Sequence, residues 1–286
     1  MREAHDVAVW PHPLPPSPSQ LRDLAREADG LLTLLTDHVD SALLDVCPRL
    51  RVVSNYAVGT DNVDLDACAV RGVLVGRTPD VLTDSTADLT LALILAAARR
   101  LPEAAAAVAA GRWRTWEPAR WLGLELAGAT LLVVGPGRIG RAVARRAEAF
   151  GMRVRLAGRG DPLPFEEADV VTLHCPLTPE TRHLIGADAL DRMKPTALLV
   201  NTARGPIVDT SALLDALHSG TIGAAALDVT DPEPLPADHP LLEAPNLLVL
   251  PHIGSATTCA RARMTAIAVD NLLAGLDGRP LPHPAA

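Results

Sequence analysis

Three residues in separated segments carry the first chemical signal. They are Arg204 in LVNTARGPIVD (199–209), Glu233 in AALDVTDPEPLP (225–236) and His252 in LLVLPHIGSAT (247–257). Each segment reads as an apolar strand running into a loop. A guanidinium forks onto a carboxylate. A carboxylate beside an imidazole favours its charged form, and an imidazole delivers protons near neutral pH. These are the parts needed to reduce a 2-keto acid, given a hydride source. Binding of the acid by arginine would orient its carbonyl, an effect worth ~7 kcal/mol or more in favourable cases. Singly, each residue has a plainer reading as a loop histidine, a strand-end cap or a solvated turn. The combination points to an enzyme.

A hydride source is suggested upstream, where the apolar run ATLLVVG (129–135) enters the turn GPGRIG (135–140) and then a helical stretch to residue 150. A lone glycine pattern is weak, but between a strand and a helix it gains meaning. Gly135 would permit the tight turn, Gly137 would let a pyrophosphate approach the backbone, and Gly140 would allow close helix packing. The helix N-terminus would then face the phosphates. The next strand, MRVRLAG (152–158), ends in Gly158 and Arg159 rather than the carboxylate that holds a ribose 2′-hydroxyl in NAD sites. Asp161 lies just beyond. Arg159 could pair with a 2′-phosphate, so NADPH is expected as the preferred cofactor, with NADH possible.

The elements that must position these groups alternate between helix and strand. Helices are expected at 20–28, 41–47, 62–71, from Asp84 or Ser85 as N-cap to about Arg100, and at 101–111, 138–150, 210–219 and 257–275. Strands are expected at 30–35, 50–59, 72–76, 129–135, 152–158, 168–177, 196–203, 221–229 and 246–252. The pattern is α/β, and the continuous apolar strands indicate buried parallel sheets. VAVW (7–10) is a short apolar stretch before the proline-rich PHPLPPSP (11–18). The 286 residues suffice for two domains. The final helix is expected to pack back on the first domain, making that domain discontinuous.

Composition narrows the function. The chain is 48% hydrophobic and 21% charged, with formal net charge −8, which argues against a nucleic-acid surface. Cys47, Cys68, Cys175 and Cys259 show neither a CxxC pair nor metal-ligand spacing; no metal and a reduced cytoplasmic setting are expected. No secretory leader is visible, and the run 89–98 is too short to span a bilayer. No membrane partner is expected.

The segments AVGTDNVDL (57–65), RGVLVGRTPDVLTDSTADL (71–89), ARRLPEA (98–104), GPGRIG, LDVTDPEPLP, LPHIGSAT and NLLAGLDG (271–278) resemble the D-isomer-specific 2-hydroxyacid dehydrogenases, closest to the glyoxylate/hydroxypyruvate reductase branch. The likeness covers nearly the whole chain and implies two Rossmann-like domains. Residues 80–257 would form an NAD(P)-binding Rossmann domain. Residues 1–79 and 258–286 would form a flavodoxin-like substrate domain, with the active site in the cleft between. Arg204 would bind the substrate carboxylate and carbonyl, and His252 would be the general acid, held by Glu233. Val58 and Gly59 would offer N–H groups to a small 2-keto acid, and Ser255 would line its site. Asp228 would anchor the nicotinamide side, and Arg138, Ile139, Pro176, Thr202, Ala203 and Gly254 would line the cofactor. A homodimer is implied, joined through the long helix after Asp84 and RWRTWEPARW (112–121).

Two departures from the family stand out. The strand and helix that normally precede the segment matched by VAVW are absent, which would remove a strand from the substrate domain's sheet and either impair stability or expose an edge. The stretch from Arg159 to Asp169 leaves little room for the usual further strand and helix. Rival expectations are an NAD-linked relative acting on D-lactate, 3-phosphoglycerate or phosphite, and a dinucleotide-sensing corepressor-like binding protein. His174 in LHCPL reads as a strand-end residue near cofactor rather than a second acid. Trp113, Trp116 and Trp121 read equally as interface, substrate-mouth or core residues.

Overall fold

The computed structural model describes residues 5–285. The chain divides into one unit of Met1–Leu82 with Thr257–Ala286 and another of Thr83–Ala256. The sequence-based boundaries were residues 79/80 and 257/258.

In the first unit, β1 (Gly30–Thr33), β2 (Val52–Asn55) and β3 (Leu74–Gly76) form a parallel sheet in that order. Helices α1 (Pro18–Ala25), α2 (Ser41–Asp45) and α3 (Leu65–Val70) begin at side-chain caps from Ser17, Asp40 and Asp64, which satisfy otherwise unpaired N–H groups. Ala25, Leu43, Leu44, Val53 and Cys68 close the core beneath them. The last helix, α9 (Thr258–Leu276), packs on β1, β2 and β3. It is tied there by Ser54 Oγ donating to the Ala268 carbonyl at 2.7 Å and Asn271 Nδ2 donating to the Arg77 carbonyl at 3.0 Å.

Several local expectations are corrected. The apolar stretch 7–10 carries no regular element, and Trp10 Nε1 donates to the Leu14 carbonyl at 2.8 Å in the proline-rich turn that follows. The strand at 30–35 stops at Thr33 because Asp37 captures the Leu34 N–H at 2.8 Å and turns the chain. Neither Asp84 nor Ser85 is an N-cap. Helix α4 (Thr83–Ala98) already starts at Thr83 and holds both in its first turn, where Asp84 favours the helix dipole.

The second unit carries six parallel strands in the order β5-β4-β6-β7-β8-β9. These are β4 (Thr130–Val134), β5 (Arg153–Ala157), β6 (Val170–Leu173), β7 (Leu198–Asn201), β8 (Ala224–Leu227) and β9 (Leu247–Val249). Period-two alternation divides their side chains between two cores. Leu131, Val133, Val200 and Ala226 meet α4 and α6 (Arg138–Ala149). Leu132, Val134, Leu199 and Leu227 meet α7 (Ala187–Asp191) and α8 (Thr210–Ser219). Both faces are therefore covered, as a parallel sheet requires. Helix α5 (Leu101–Ala109) follows α4 after Arg100. Between β5 and β6 the only regular element is a single tight turn at Phe165–Glu167, so the short connection holds no further strand. The chain leaves β4 for β5 on one side and returns to β6 on the other. That reversal of strand order marks the switch point at whose carboxyl ends open α/β sheets bind ligands.

Candidate active site

Neighbouring strands β7, β8 and β9 deliver Arg204, Glu233 and His252 to one edge of the sheet, because all three residues follow the carboxyl ends of parallel strands. Glu233 Oε1 lies 2.6 Å from His252 Nδ1. The histidine side chain is 26% exposed, enough to reach a ligand while remaining oriented. Thr230 N–H reaches Glu233 Oε2 at 3.4 Å, and Thr230 Oγ1 closes the same turn on the Pro232 carbonyl at 2.8 Å.

His252 is held by its backbone as well. Its φ is 54° and its N–H bonds the Asp228 carbonyl at 2.9 Å. The Asp228 carboxylate, only 1% exposed, accepts the N–H groups of Ile253 at 2.7 Å and Gly254 at 2.8 Å. Burial pushes this carboxyl upward, and the two N–H bonds pull it back. Asp228 thus clamps the loop that carries His252. Sequence reasoning gave it to the nicotinamide alone.

Arg204 sits at the end of a buried polar brace that sequence reasoning missed. Asn201 donates from Nδ2 to the Arg204 carbonyl at 2.8 Å and accepts the Ala203 N–H at 3.0 Å. Thr202 bonds Thr90 of α4 at 3.0 Å. Arg204 Nη1 donates to the Ala203 carbonyl at 2.8 Å. The following Gly205 lies against the next loop so closely that a Cβ would stand 1.8 Å from the Thr230 carbonyl oxygen. The Arg204 loop and the turn that carries Glu233 therefore pack backbone to backbone. The signal for Asn201 was present as the polar end of the apolar run LLVN.

At β4, Gly135 turns with φ 90°, and a Cβ there would meet Cys175 N at 2.4 Å. A Cβ on Gly140 would meet the Gly135 carbonyl at 2.4 Å, which fits close helix packing. Gly137 differs: it caps α6 without any side-chain bond, and a Cβ there would meet nothing within 4 Å. An open approach to an uncapped helix N-terminus suits a pyrophosphate. The residues present fit a dinucleotide.

The remaining candidates are distributed as follows. Arg138 and Ile139 open α6, Pro176 and half-buried Cys175 follow β6, and Gly158 with Arg159 follows β5. Ser255 is half-buried beyond Gly254. Val58 and Gly59 belong to the first unit, in the loop after β2, where Asn55 Nδ2 holds the Gly59 carbonyl at 2.9 Å. Burial lowers the His174 imidazole to about 4, so it is neutral at ordinary pH, and pushes the Cys175 thiol up. Trp113 and Trp116 are 70% and 81% exposed, which removes the core reading for both. Among the described residues no group of three His, Cys, Asp or Glu could hold a metal, and no helix is long and apolar enough to cross a membrane.

Comparison with known proteins places this geometry in context. Residues 91–254 match the D-isomer specific 2-hydroxyacid dehydrogenase NAD binding domain. The chain is 48% identical to glyoxylate reductase of Aeropyrum pernix, over 98% of this chain and 89% of the relative. It is 44% identical to human glyoxylate reductase/hydroxypyruvate reductase, over 97% and 90%. Among solved structures it resembles an NADPH-dependent glyoxylate/hydroxypyruvate reductase from Sinorhizobium meliloti bound to NADP and malonate. The TM-score is 0.81 at 36% identity, covering 91% of this chain and 85% of that one. The strand order, the glycine turn and these full-length likenesses agree: the chain belongs to the D-isomer-specific 2-hydroxyacid dehydrogenase family.

Proposed function

We propose that this protein reduces small 2-keto acids, glyoxylate and hydroxypyruvate first, to glycolate and D-glycerate. The observation that carries the reading is the 2.6 Å contact between Glu233 and His252, beside the braced loop of Arg204. The likeness to reductases of that name supports the substrate class.

Arg204 binds the keto acid's carboxylate with its planar fork and fixes the carbonyl in place. The chemistry supplied by a bound reduced nicotinamide is a hydride to the keto carbon. His252 gives the carbonyl oxygen its proton from Nε2. Glu233 accepts the Nδ1–H and so holds the ring and its tautomer. The neutral imidazole left behind keeps the proton on Nδ1, donated in a hydrogen bond to Glu233, and is recharged at Nε2 from water. Ser255 lines the substrate side, and Asp228 and Gly254 the nicotinamide side. Gly135, Gly137, Arg138, Ile139 and Gly140 hold the phosphates. Pro176, Thr202 and Ala203 complete the cofactor wall.

NADPH is the preferred donor in this reading, with NADH accepted, because Arg159 stands exposed on the turn after β5 and can pair with a 2′-phosphate. The protein acts as a homodimer. Leu101, Val108, Trp113, Trp116 and Leu122 are exposed within one 22-residue stretch, an apolar surface that a second copy would cover. Light scattering should then give twice the 30.1 kDa chain mass. Trp116→Glu should give the single mass, and a monomeric parent protein would end the dimer reading.

The activity test follows nicotinamide absorbance with glyoxylate or hydroxypyruvate, using NADPH and NADH separately. Consumption faster with NADPH is the expected result. No consumption of either cofactor by folded protein would overturn the proposed reaction.

A further inference from the structure

The turn after β5 folds a carboxylate back onto the end of the strand. Gly158, the first residue past β5, donates its N–H to Asp161 Oδ2 at 2.7 Å. The Asp161 N–H returns to the Gly158 carbonyl at 3.3 Å, and Gly160 makes the reversal with φ 81°. Residue 158 has no side chain to crowd the carboxylate. A Cβ there would stand 3.3 Å from Asp161 Oδ2 and 3.7 Å from Pro136 Cγ, in the glycine turn itself. Asp161, though beyond the strand in sequence, therefore brings its charge to the strand end beside the glycine turn. That is where a dinucleotide-binding unit meets the adenosine ribose.

The same turn carries the opposite charge. Arg159 is exposed two residues before Asp161. Across from it, Thr178 and the backbone of Glu180 hold the Glu180 carboxyl below its ordinary range, and Arg159 adds a weaker pull in that direction. The guanidinium thus already lies within electrostatic reach of one carboxylate.

We propose that Asp161 is a specificity-determining residue that opposes Arg159, accepting a hydrogen bond from a ribose 2′-hydroxyl and repelling a 2′-phosphate. The proposal rests on the dinucleotide reading of the glycine turn. A carboxylate has a second oxygen with which to accept from a hydroxyl, whereas a phosphate monoester brings nearly two negative charges towards it. The outcome is a cofactor preference set by two neighbouring side chains of opposite sign. Asp161 narrows the margin for NADPH that Arg159 creates.

Asp161→Asn separates charge from architecture, because an amide oxygen still accepts the Gly158 N–H. Calorimetric titration of the full-length protein with NADP+ and with NAD+ reads the effect without turnover. In Asp161→Asn, NADP+ should bind at least tenfold more tightly than in the parent protein, about 1.4 kcal/mol. NAD+ should bind no more tightly than before. Arg159→Ala should weaken NADP+ selectively. Equal changes for the two nucleotides in Asp161→Asn, or no change in either, would overturn the proposal and leave Asp161 as a turn former. A parent protein that binds neither nucleotide would defeat the dinucleotide reading itself, and the Asp161 proposal with it.

Discussion

Glu233 Oε1 stands 2.6 Å from His252 Nδ1 although the two residues leave different strands. Their loops meet because β8 and β9 are adjacent and parallel, so both end at one edge of the sheet. A carboxylate in that position fixes the ring and its tautomer, and this should govern the reaction rate more than substrate capture. Glu233→Gln is expected to lower kcat by about 100-fold or more, within the range for acid–base catalysis, with KM for glyoxylate changed little. Steady-state kinetics would check this; a rise in KM with normal kcat would contradict it.

Arg204 should respond to a conservative change. Lysine keeps the charge but loses the planar two-point fork. Arg204→Lys is expected to reduce kcat/KM for glyoxylate by about tenfold to 100-fold, roughly 1.4–2.7 kcal/mol. Its thermal midpoint should stay near that of the parent protein, because Asn201 braces the loop through backbone atoms.

The glycines of one motif should behave differently. Gly137 has room for a methyl group and an ordinary φ of −72°. Gly137→Ala should therefore fold with a thermal midpoint within a few degrees of the parent, while losing affinity for NADP+ and NAD+ alike. Gly135→Ala would drive a Cβ to 2.4 Å from Cys175 N at a left-handed φ. It should be strongly destabilised in thermal unfolding. A Gly137→Ala protein that binds both nucleotides normally would remove the phosphate role assigned to that turn.

His174 predicts a pH dependence of stability. Burial keeps its folded imidazole down at about 4, whereas an unfolded chain takes up that proton near the ordinary 6.5. Its contribution is complete above about pH 6.5 and declines as pH falls towards 4, by at most about 1.4 kcal/mol per pH unit. Urea unfolding at pH 7 and pH 5 should show the parent losing more stability than His174→Gln over that interval. Identical losses would show that this histidine titrates normally.

What the sequence made legible was local or repetitive. The alternation of helix and strand, the GPGRIG turn and the polar residues ending apolar runs all follow from periodicity and turn chemistry within a few positions. What escaped it depends on folding distant segments together. The clamp of Asp228 on Ile253 and Gly254 spans two strands and is invisible in LDVTDPEPLP alone. Gly205 looks unremarkable until the Thr230 carbonyl lies where its Cβ would be. Asp161 was passed over because it lies beyond the strand, and only the reversal at Gly160 returns it.

The most direct test of the reaction is a single-turnover experiment on His252→Ala. Fluorescence titration first establishes that the variant binds NADPH as the parent does. Rapid mixing of the NADPH complex with glyoxylate then follows nicotinamide absorbance. The expected result is loss of nicotinamide oxidation by about 100- to 10,000-fold with binding preserved. Oxidation at the parent rate would mean that the proton comes from elsewhere, and that the Glu233–His252 pair is only part of the scaffold.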